Sequence, residues 1–247
     1  MNDEKEALLR RAEDLAEQCR RRGQVTHTVF LTPGEQHTLS RFSPVPTLLL
    51  PASCERRVLF FLPDWLEPED LDPADWLCAL RLTARFGSPG HRDWLGAVLA
   101  LGIGREWVGD ILAEGETAYL YCLPSVREHL LLSLDRVGRW GAKAEAITLE
   151  EVPSRQQELR ERTFSVKSLR LDAVCGGMFS LSRTAAAEAI AAGLVSLNYE
   201  PCLKTDAGVK AGDVISLRGK GKGWVLSAGD RESKKGRLFV TVGTPAK

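Results

Sequence analysis

The residues best suited to chemistry in this 247-residue chain are cations, together with one serine, in its last third. The candidates for binding a polyanion are Arg170, Ser182, Arg183, Lys204, Arg218, Lys220 and Lys222. Ser182 is a preferred N-cap residue, so Arg183 would stand in the first turn of a helix, where free backbone N–H groups favour phosphate. Glycines between the last three cations let the backbone approach a sugar-phosphate chain closely. The pattern predicts recognition of folded RNA, whose deep major groove leaves shape and phosphates to be bound.

The charge distribution agrees with this prediction, although the whole chain is neutral. Lysine and arginine total 33, as do aspartate and glutamate. Residues 163–247 contain 13 basic and 7 acidic side chains, a net charge of +6, and residues 1–162 carry −6. A basic segment joined to an acidic one is consistent with a polyanion partner. The alternative for each single cation is an ordinary solvated surface charge.

The remaining motifs give little support to metal or nucleotide binding. The glycine–lysine run at 218–223 lacks the spacing of a P-loop and lies between predicted strands. None of the six cysteines forms a C-x-x-C pair, and His27, His37 and His129 stand alone. We therefore expect no cofactor, no metal and no small-molecule substrate.

Two short motifs are similar to catalytic sequences. Asp172 lies in Arg-Leu-Asp, which is similar to the surroundings of the catalytic aspartate in pseudouridine synthases, but here it falls in a predicted first helical turn, where a carboxylate stabilises the dipole. His91-Arg92-Asp93 is similar to a kinase catalytic loop, yet Val98 occupies the required asparagine position. The preferred hypothesis is a non-enzymatic protein. An RNA-modifying enzyme that uses the C-terminal segment for substrate delivery and a cell-division interaction protein are the alternatives.

The start of the predicted helix at 91–101 offers a second candidate contact. His91, Arg92 and the nearby Arg105 could bind RNA, with helix capping as the alternative.

The elements that must position these residues indicate an α+β fold. Residues 76–150 have the order β-α-β-β-α-β, which predicts a ferredoxin-like domain, a frequent scaffold for RNA recognition. The elements expected there are strands 77–83, 109–113, 117–123 and 143–149 and helices 91–101 and 125–137. Residues 1–75 form a predicted helical and mixed region that begins with an amphipathic helix at 3–22. The largely polar residues 151–163 are predicted to be a linker between two domains, with a solvated helix as the alternative.

Residues 164–247 are predicted to form a small domain of their own. Apolar residues at helical spacing predict a helix over 171–178, and a second helix over 183–192 would end at Gly193. Strands are expected at 194–198, 213–218, 223–227 and 237–242.

Nothing in the sequence predicts export or membrane insertion. The charged start at 1–6 is not followed by the apolar core of a signal peptide, and no apolar run approaches the ~18 residues of a spanning helix. We expect a cytoplasmic protein with reduced cysteines and no membrane partner.

The C-terminal segment closely resembles the RNA-binding domain named after small-ribosomal-subunit protein S-four. The matching residues are Arg170-Leu171-Asp172, Ser182-Arg183, Ala187, Ile190, Gly193, Val195, Asn198, Gly212-Asp213 and Ile215. Tyr199 is a departure, because the family often has glycine after the asparagine. The resemblance implies a small S-four-like domain of the alpha-L type.

The chain as a whole resembles the YlmH family. The resemblance is carried by this C-terminal domain and by residues 91–112, HRDWLGAVLALGIGREWVGDIL. It implies a helical N-terminal region, a ferredoxin-like domain and an S-four-like domain in a non-enzymatic protein. It also implies that the partners are ribosomal RNA, tRNA or both on the large ribosomal subunit, in rescue or quality control of stalled peptidyl-tRNA.

Overall fold

The computed structural model describes residues 2–40, 42, 44–154, 158–232 and 236–246, which form an α+β protein. Within these residues there are six α-helices and three sheets with antiparallel strand pairing. The chain divides into two compact units, Met1–Arg155 and Gln156–Lys247. In the part of the chain that is described, no helix is both long and apolar enough to cross a membrane.

The first unit begins with a helix packed on a three-stranded sheet. Its first elements are α1 (Asn2–Arg22), β1 (Thr26–Leu31), α2 (Pro33–Leu39), β2 (Thr47–Leu50) and β3 (Arg57–Phe61), with strand order β1-β3-β2. Helix α1, which the sequence predicts at 3–22, buries Ala12, Ala16 and Cys19 in the core it shares with this sheet. Helix α2 begins with Pro33, which suits a first helical position because its missing N–H has no intrahelical partner there.

The second sheet carries two helices on one face. Its elements are β4 (Cys78–Ala84), α3 (His91–Ala100), β5 (Val108–Glu114), β6 (Thr117–Cys122), α4 (Pro124–Ser133), β7 (Arg136–Val137) and β8 (Trp140–Ile147), with strand order β5-β6-β4-β8-β7. Leu80 and Leu82 of the central strand share a core with Trp94 of α3 and Leu130 of α4. Residues 78–147 therefore have the element order β-α-β-β-α-β-β with antiparallel pairing. The predicted order β-α-β-β-α-β is present with one addition, the short strand β7, which forms a hairpin with β8.

The opposite face of this second sheet is also buried. Ala79 and Tyr121 share a core with Phe30 and Phe60 of the N-terminal sheet. Because both faces of the second sheet are apolar, it packs helices on one side and the N-terminal sheet on the other. The boundary predicted at residue 75 therefore falls inside one compact unit.

Helix α4 ends earlier than its apolar spacing predicts. The pattern predicts a helix over 125–137, but the helix stops at Ser133 and Leu134 adopts φ −83° and ψ 86°. The chain then forms the short strand β7, and Gly138 with φ 56° supplies a left-handed turn residue. Leu134 and Val137 are buried all the same. Periodicity identified both buried residues, but it could not show that Leu134 ends the helix and that Val137 lies on a strand.

The second unit is a six-stranded sheet with two helices packed on one face. Its elements are β9 (Leu159–Val166), α5 (Leu171–Phe179), α6 (Arg183–Ala191), β10 (Val195–Leu197), β11 (Glu200–Pro201), β12 (Val214–Leu217), β13 (Gly221–Glu232) and β14 (Leu238–Pro245). The strand order is β11-β10-β12-β13-β14-β9. Both predicted helices are present, and Leu171, Ile190, Ile215 and Val240 are fully buried in the core between helices and sheet.

Strand β9 corrects part of the linker predicted over 151–163. The strand begins at Leu159 and pairs with β14 along its whole length. Residues 160–163 of this strand are polar and exposed. The strand lies at the edge of the sheet, where backbone pairing with one neighbour holds it without a run of apolar residues. Phe164 anchors it to the helices: a Cβ atom at Gly177 of α5 would lie 2.1 Å from the Phe164 ring.

Candidate nucleic-acid interface

A buried carboxylate holds two of the predicted arginines at one end of the helix pair. Asp172 lies in the first turn of α5, and 6% of its side chain is exposed. Arg170 donates to it from Nε and Nη2 at 3.3 and 3.1 Å. Arg183, the first residue of α6, donates to the same carboxylate from Nε and Nη2 at 3.2 and 3.1 Å. The arginine side chains remain 37% and 57% exposed, respectively.

We define Arg170, Asp172 and Arg183 as the triad. Its net positive charge favours the binding of an external anion. Burial by itself raises the pKa of Asp172, but the hydrogen bonds and the positive charges of Arg170 and Arg183 together outweigh burial, so that the pKa lies below its ordinary value. The ionised carboxylate balances one of two guanidinium charges. Each guanidinium uses only Nε and Nη2, and among the described residues Nη1 has no acceptor. Guanidiniums held in this way suit bidentate recognition of phosphate.

The first turn of α6 adds backbone donors beside the triad. Ser182 caps the helix, because its Oγ accepts a hydrogen bond from the Ala185 N–H at 3.1 Å. Within the described residues, no acceptor binds the backbone N–H groups of Arg183 and Thr184. These donors and the positive end of the helix dipole favour an anion at this point.

The loop that carries Lys204 lies against the start of α5. The backbone N–H groups of Leu171 and Asp172 donate to the carbonyls of Ala207 and Thr205 at 2.8 and 2.9 Å. These bonds occupy donors of the first turn of α5, so α6 is the helix whose first turn can receive an anion. They also hold the exposed Lys204, the neighbour of Thr205, close to the triad.

The predicted hairpin cations lie at the other end of α6. Arg218 and Lys220 are exposed in the turn between β12 and β13, and the Arg218 N–H donates to the Leu194 carbonyl at 3.0 Å. Leu194 follows α6, whose nine residues span about 14 Å. Leu203, the neighbour of Lys204, packs at this same end: its side chain lies 3.6 Å from the position that a Cβ atom of Gly193 would occupy. The loop that carries Lys204 therefore extends from the triad to the hairpin. We call the cations along this helix the α6 cation row, which consists of Arg170, Arg183, Lys204, Arg218 and Lys220.

Lys222 is separated from this row. The register of the hairpin pairs Lys222 with Ser216 and Gly221 with Leu217. Leu217 is buried toward the helices, so Ser216 and Lys222 face the other side of the sheet. There the Lys222 ammonium lies 5.4 Å from the ring centroid of Trp224. This placement does not agree with the expectation that Lys222 joins the other cations. The face on which Lys222 lies could not be predicted, because the glycines beside it give no alternation of apolar residues.

The three candidates in the first unit have different surroundings. His91 and Arg92 are exposed in the first turn of α3, where Arg92 and Arg136 border a groove of about 460 Å³. Arg105 instead donates from Nη1 to the carbonyls of Val108 and Gly109, at 2.6 and 2.7 Å.

Burial lowers the pKa of Arg105, and the charge of the neighbouring Arg56 lowers it further. The Arg105 guanidinium stabilises the start of β5 through these two hydrogen bonds. Arg105 thus has a structural role that the sequence did not predict, and its contact with RNA stays a prediction.

A buried network fixes the loop of the second unit at both ends. Asn198 has φ 51°, its Nδ2 donates to Asp213 Oδ1 at 2.9 Å, and its Oδ1 accepts from the Val214 N–H at 2.9 Å. Asp213 is only 4% exposed. Tyr199, where the S-four-like family often has glycine, adopts φ 68°, so the left-handed turn is kept despite the side chain.

Sequence analysis assigned Asp172 only to the helix dipole and missed its role in holding the two arginines. An acid two residues after one candidate cation was the available signal. Across the described residues, no group of three or more His, Cys, Asp or Glu side chains could hold a metal ion.

The fold and the cation row define a class, that of α+β proteins with a candidate polyanion-binding surface beside a short helix. Residues 68–151 match the family model described as "Putative RNA-binding domain in YlmH". The chain is 30% identical over 221 residues to "Ribosome-associated protein quality control protein P2" of Bacillus subtilis (strain 168), which covers 87% of this chain and 85% of that protein. The chain therefore belongs to the YlmH family.

The comparison with solved structures found "Cell division protein ylmH" from Streptococcus pneumoniae. It is 18% identical, with a TM-score of 0.48, and the match covers 61% of this chain and 95% of that chain.

Proposed function

We propose that this protein is a non-enzymatic RNA-binding protein that associates with the ribosome through its C-terminal unit. The observation that carries the proposal is the triad. Asp172 holds Arg170 and Arg183 in place while their Nη1 groups stay available to an anion. A phosphate bound by Arg183 would also lie near the backbone N–H groups of the first turn of α6.

The arrangement of the cation row suits structured RNA better than a flexible strand. The row has cations at both ends of a helix about 14 Å long, with Lys204 on the loop between them. Several of these cations are on elements fixed by hydrogen bonds, so they can select a particular arrangement of phosphates. Folded RNA presents such an arrangement, and its recognition depends largely on shape and backbone.

The name of the Bacillus subtilis relative supports a ribosomal partner and a role in protein quality control. We infer that the partner is ribosomal RNA, tRNA or both on the large subunit, and that the bound state is a stalled peptidyl-tRNA complex undergoing rescue. A ribosome-associated role would place the protein in the cytoplasm.

The scaffold proposed for this role has two parts. The strand order β5-β6-β4-β8 with antiparallel pairing supports a ferredoxin-like arrangement of the middle segment. The capped helix pair α5–α6 and the Asn198–Asp213 network support an S-four-like C-terminal domain.

A catalytic role for Asp172 has less support. Both carboxylate oxygens accept hydrogen bonds from guanidiniums, and 6% of the side chain is exposed. An RNA-modifying enzyme would need a carboxylate that reaches its substrate. A cell-division interaction protein would not require the cation row. Charge reversal in the row therefore distinguishes this alternative from the proposed function.

Charge reversal in the row tests the proposal. Arg183→Glu combined with Lys220→Glu places negative charges at both ends of α6 and should abolish sedimentation with ribosomes through a sucrose cushion. The matched control is Arg11→Glu with Arg22→Glu, two exposed cations of α1, which makes the same change in net charge and should sediment like the wild type. Unchanged sedimentation of the first variant would refute the proposed surface.

A further inference from the structure

Two cysteines of the first unit face each other across neighbouring strands. Cys78 begins β4 and Cys122 ends β6, and the antiparallel register pairs them directly. Such paired residues have Cα atoms about 4.5–5.5 Å apart, inside the range of about 4.4–6.8 Å that disulfides span. Both side chains lie on the face that packs against α3 and α4, beside Leu80 and Leu120. A bond between the two sulfurs would need their Cβ atoms to approach by about 1 Å.

The two thiols differ in exposure and in acidity. Cys78 is partly exposed, whereas Cys122 is fully buried. A hydrogen bond with Cys122 lowers the pKa of Cys78 to about 7, against the opposing effect of burial. On α4, Arg127 lowers this pKa and Glu128 raises it. The same contact and burial raise the pKa of Cys122.

Cys54 and Cys175 are ordinary buried thiols. Burial raises the pKa of Cys54 to about 12 and that of Cys175 to about 11. Cys78 is shifted in the opposite direction, and a thiolate rather than a thiol is the nucleophile in disulfide exchange. The pair therefore combines a reactive, partly exposed thiolate with a buried thiol that can resolve an intermediate.

We propose that Cys78 and Cys122 form a dithiol site that reacts with small-molecule disulfides to give a cross-strand disulfide. The Cys78 thiolate attacks one sulfur of the small disulfide, which releases one small thiolate and leaves a mixed disulfide on Cys78. Cys122 then gives its proton to the released thiolate. The Cys122 sulfur attacks the Cys78 sulfur, forms the cross-strand disulfide and displaces the second small thiolate. This second thiolate takes up the proton that Cys78 lost when its thiolate formed. Two protein thiols are oxidised by two electrons, and the small disulfide is reduced to two thiols.

This site is independent of the cation row. The disulfide would join strands that are already paired, at the end of β6 that leads into α4. The unit that matches the family's RNA-binding domain would thereby have two covalent states, set by the oxidant around it. The experiment that tests the site has no RNA in it, so its result does not depend on the proposed function.

Oxidised glutathione added to the reduced full-length chain tests the proposal. After blocking with N-ethylmaleimide and digestion with trypsin, mass spectrometry should recover peptides 58–81 and 106–127, which contain Cys78 and Cys122, joined to each other. The rate of the first step should rise with pH around a midpoint near 7, because the Cys78 thiolate forms there. An unperturbed thiol would give a midpoint near about 8.5.

Two variants keep the test decisive. Cys122→Ala removes the resolving thiol and the main cause of the low pKa, so glutathione should remain on Cys78 and the midpoint should move up. Cys202→Ala, which changes the other partly exposed cysteine, should still give the joined peptides. The proposal is overturned if the wild-type protein yields no joined peptides, or if glutathione is recovered on Cys202 and not on Cys78.

Discussion

Among single residues, the candidate interface depends most on Asp172. Its buried carboxylate restrains two guanidiniums, so less side-chain freedom is lost when they bind a phosphate. The same carboxylate introduces a negative charge close to the expected anion. The triad therefore gives up part of its long-range attraction in return for fixed donors.

Replacing Asp172 by asparagine separates these two effects. Asp172→Asn removes a negative charge, which would strengthen RNA binding if net charge alone mattered. We expect instead that ribosome affinity falls by about tenfold, equivalent to ~1.4 kcal/mol, because the guanidiniums lose their ionised anchor. Equilibrium binding measures the affinity, with hydrogen exchange of α5 amides as a check that the fold is kept. Tighter binding by the variant would show that fixed geometry contributes nothing.

Individual cations were predictable from sequence only where local chemistry determines their position. Ser182 and Arg183 were found because a cap and the first helical residue have a sequence signature. The contact of Arg183 with Asp172 joins residues on two helices and depends on how those helices pack, so spacing alone does not give it. Arg105 could not be distinguished from a surface cation, because its backbone partners are set by the start of β5.

Among the elements, the contact between β9 and α5 holds the edge of the second sheet. Phe164 lies directly over Gly177, a position with no room for a Cβ atom. The helices themselves followed from apolar spacing and their ends. Strand β9 could not be predicted in this way, because an edge strand needs backbone partners rather than a hydrophobic run. Its partners on β14 lie between 72 positions (Val166 with Leu238) and 86 positions (Leu159 with Pro245) later in the sequence.

A methyl group at Gly177 tests this contact. Alanine normally stabilises a helix interior by about 0.5–1 kcal/mol relative to glycine. Gly177→Ala should instead lower the free energy of unfolding of the second unit by about 1–3 kcal/mol, because Phe164 must move. Protection of β9 and α5 amides from hydrogen exchange measures this change.

Gly96→Ala on α3 is the matched control, because a Cβ atom there meets nothing within 4 Å. It should increase the protection of α3. Equal stabilisation by both substitutions would contradict the packing of Phe164 on α5.

In the whole molecule, charge is divided between the two ends of the sequence, since residues 163–247 carry a net +6 and residues 1–162 a net −6. The net negative charge of residues 1–162 does not favour broad contact between this part of the protein and a polyanion. Binding should therefore depend on a small number of cations in the second unit. Phosphate contacts release counterions, and the dependence of affinity on salt counts those contacts. The overall charge could be read from sequence, whereas the grouping of cations along α6 required the fold.

The dependence of ribosome affinity on salt is the most direct test of the central claim, that the α6 cation row binds RNA phosphates. If about four phosphates are contacted, the logarithm of the association constant should fall with the logarithm of KCl concentration with a slope of roughly −3. The slope should become shallower by about 1 to 2 when Arg183 and Lys220 are both replaced by alanine. A wild-type slope near zero, or one that the alanine variant leaves unchanged, would contradict the account.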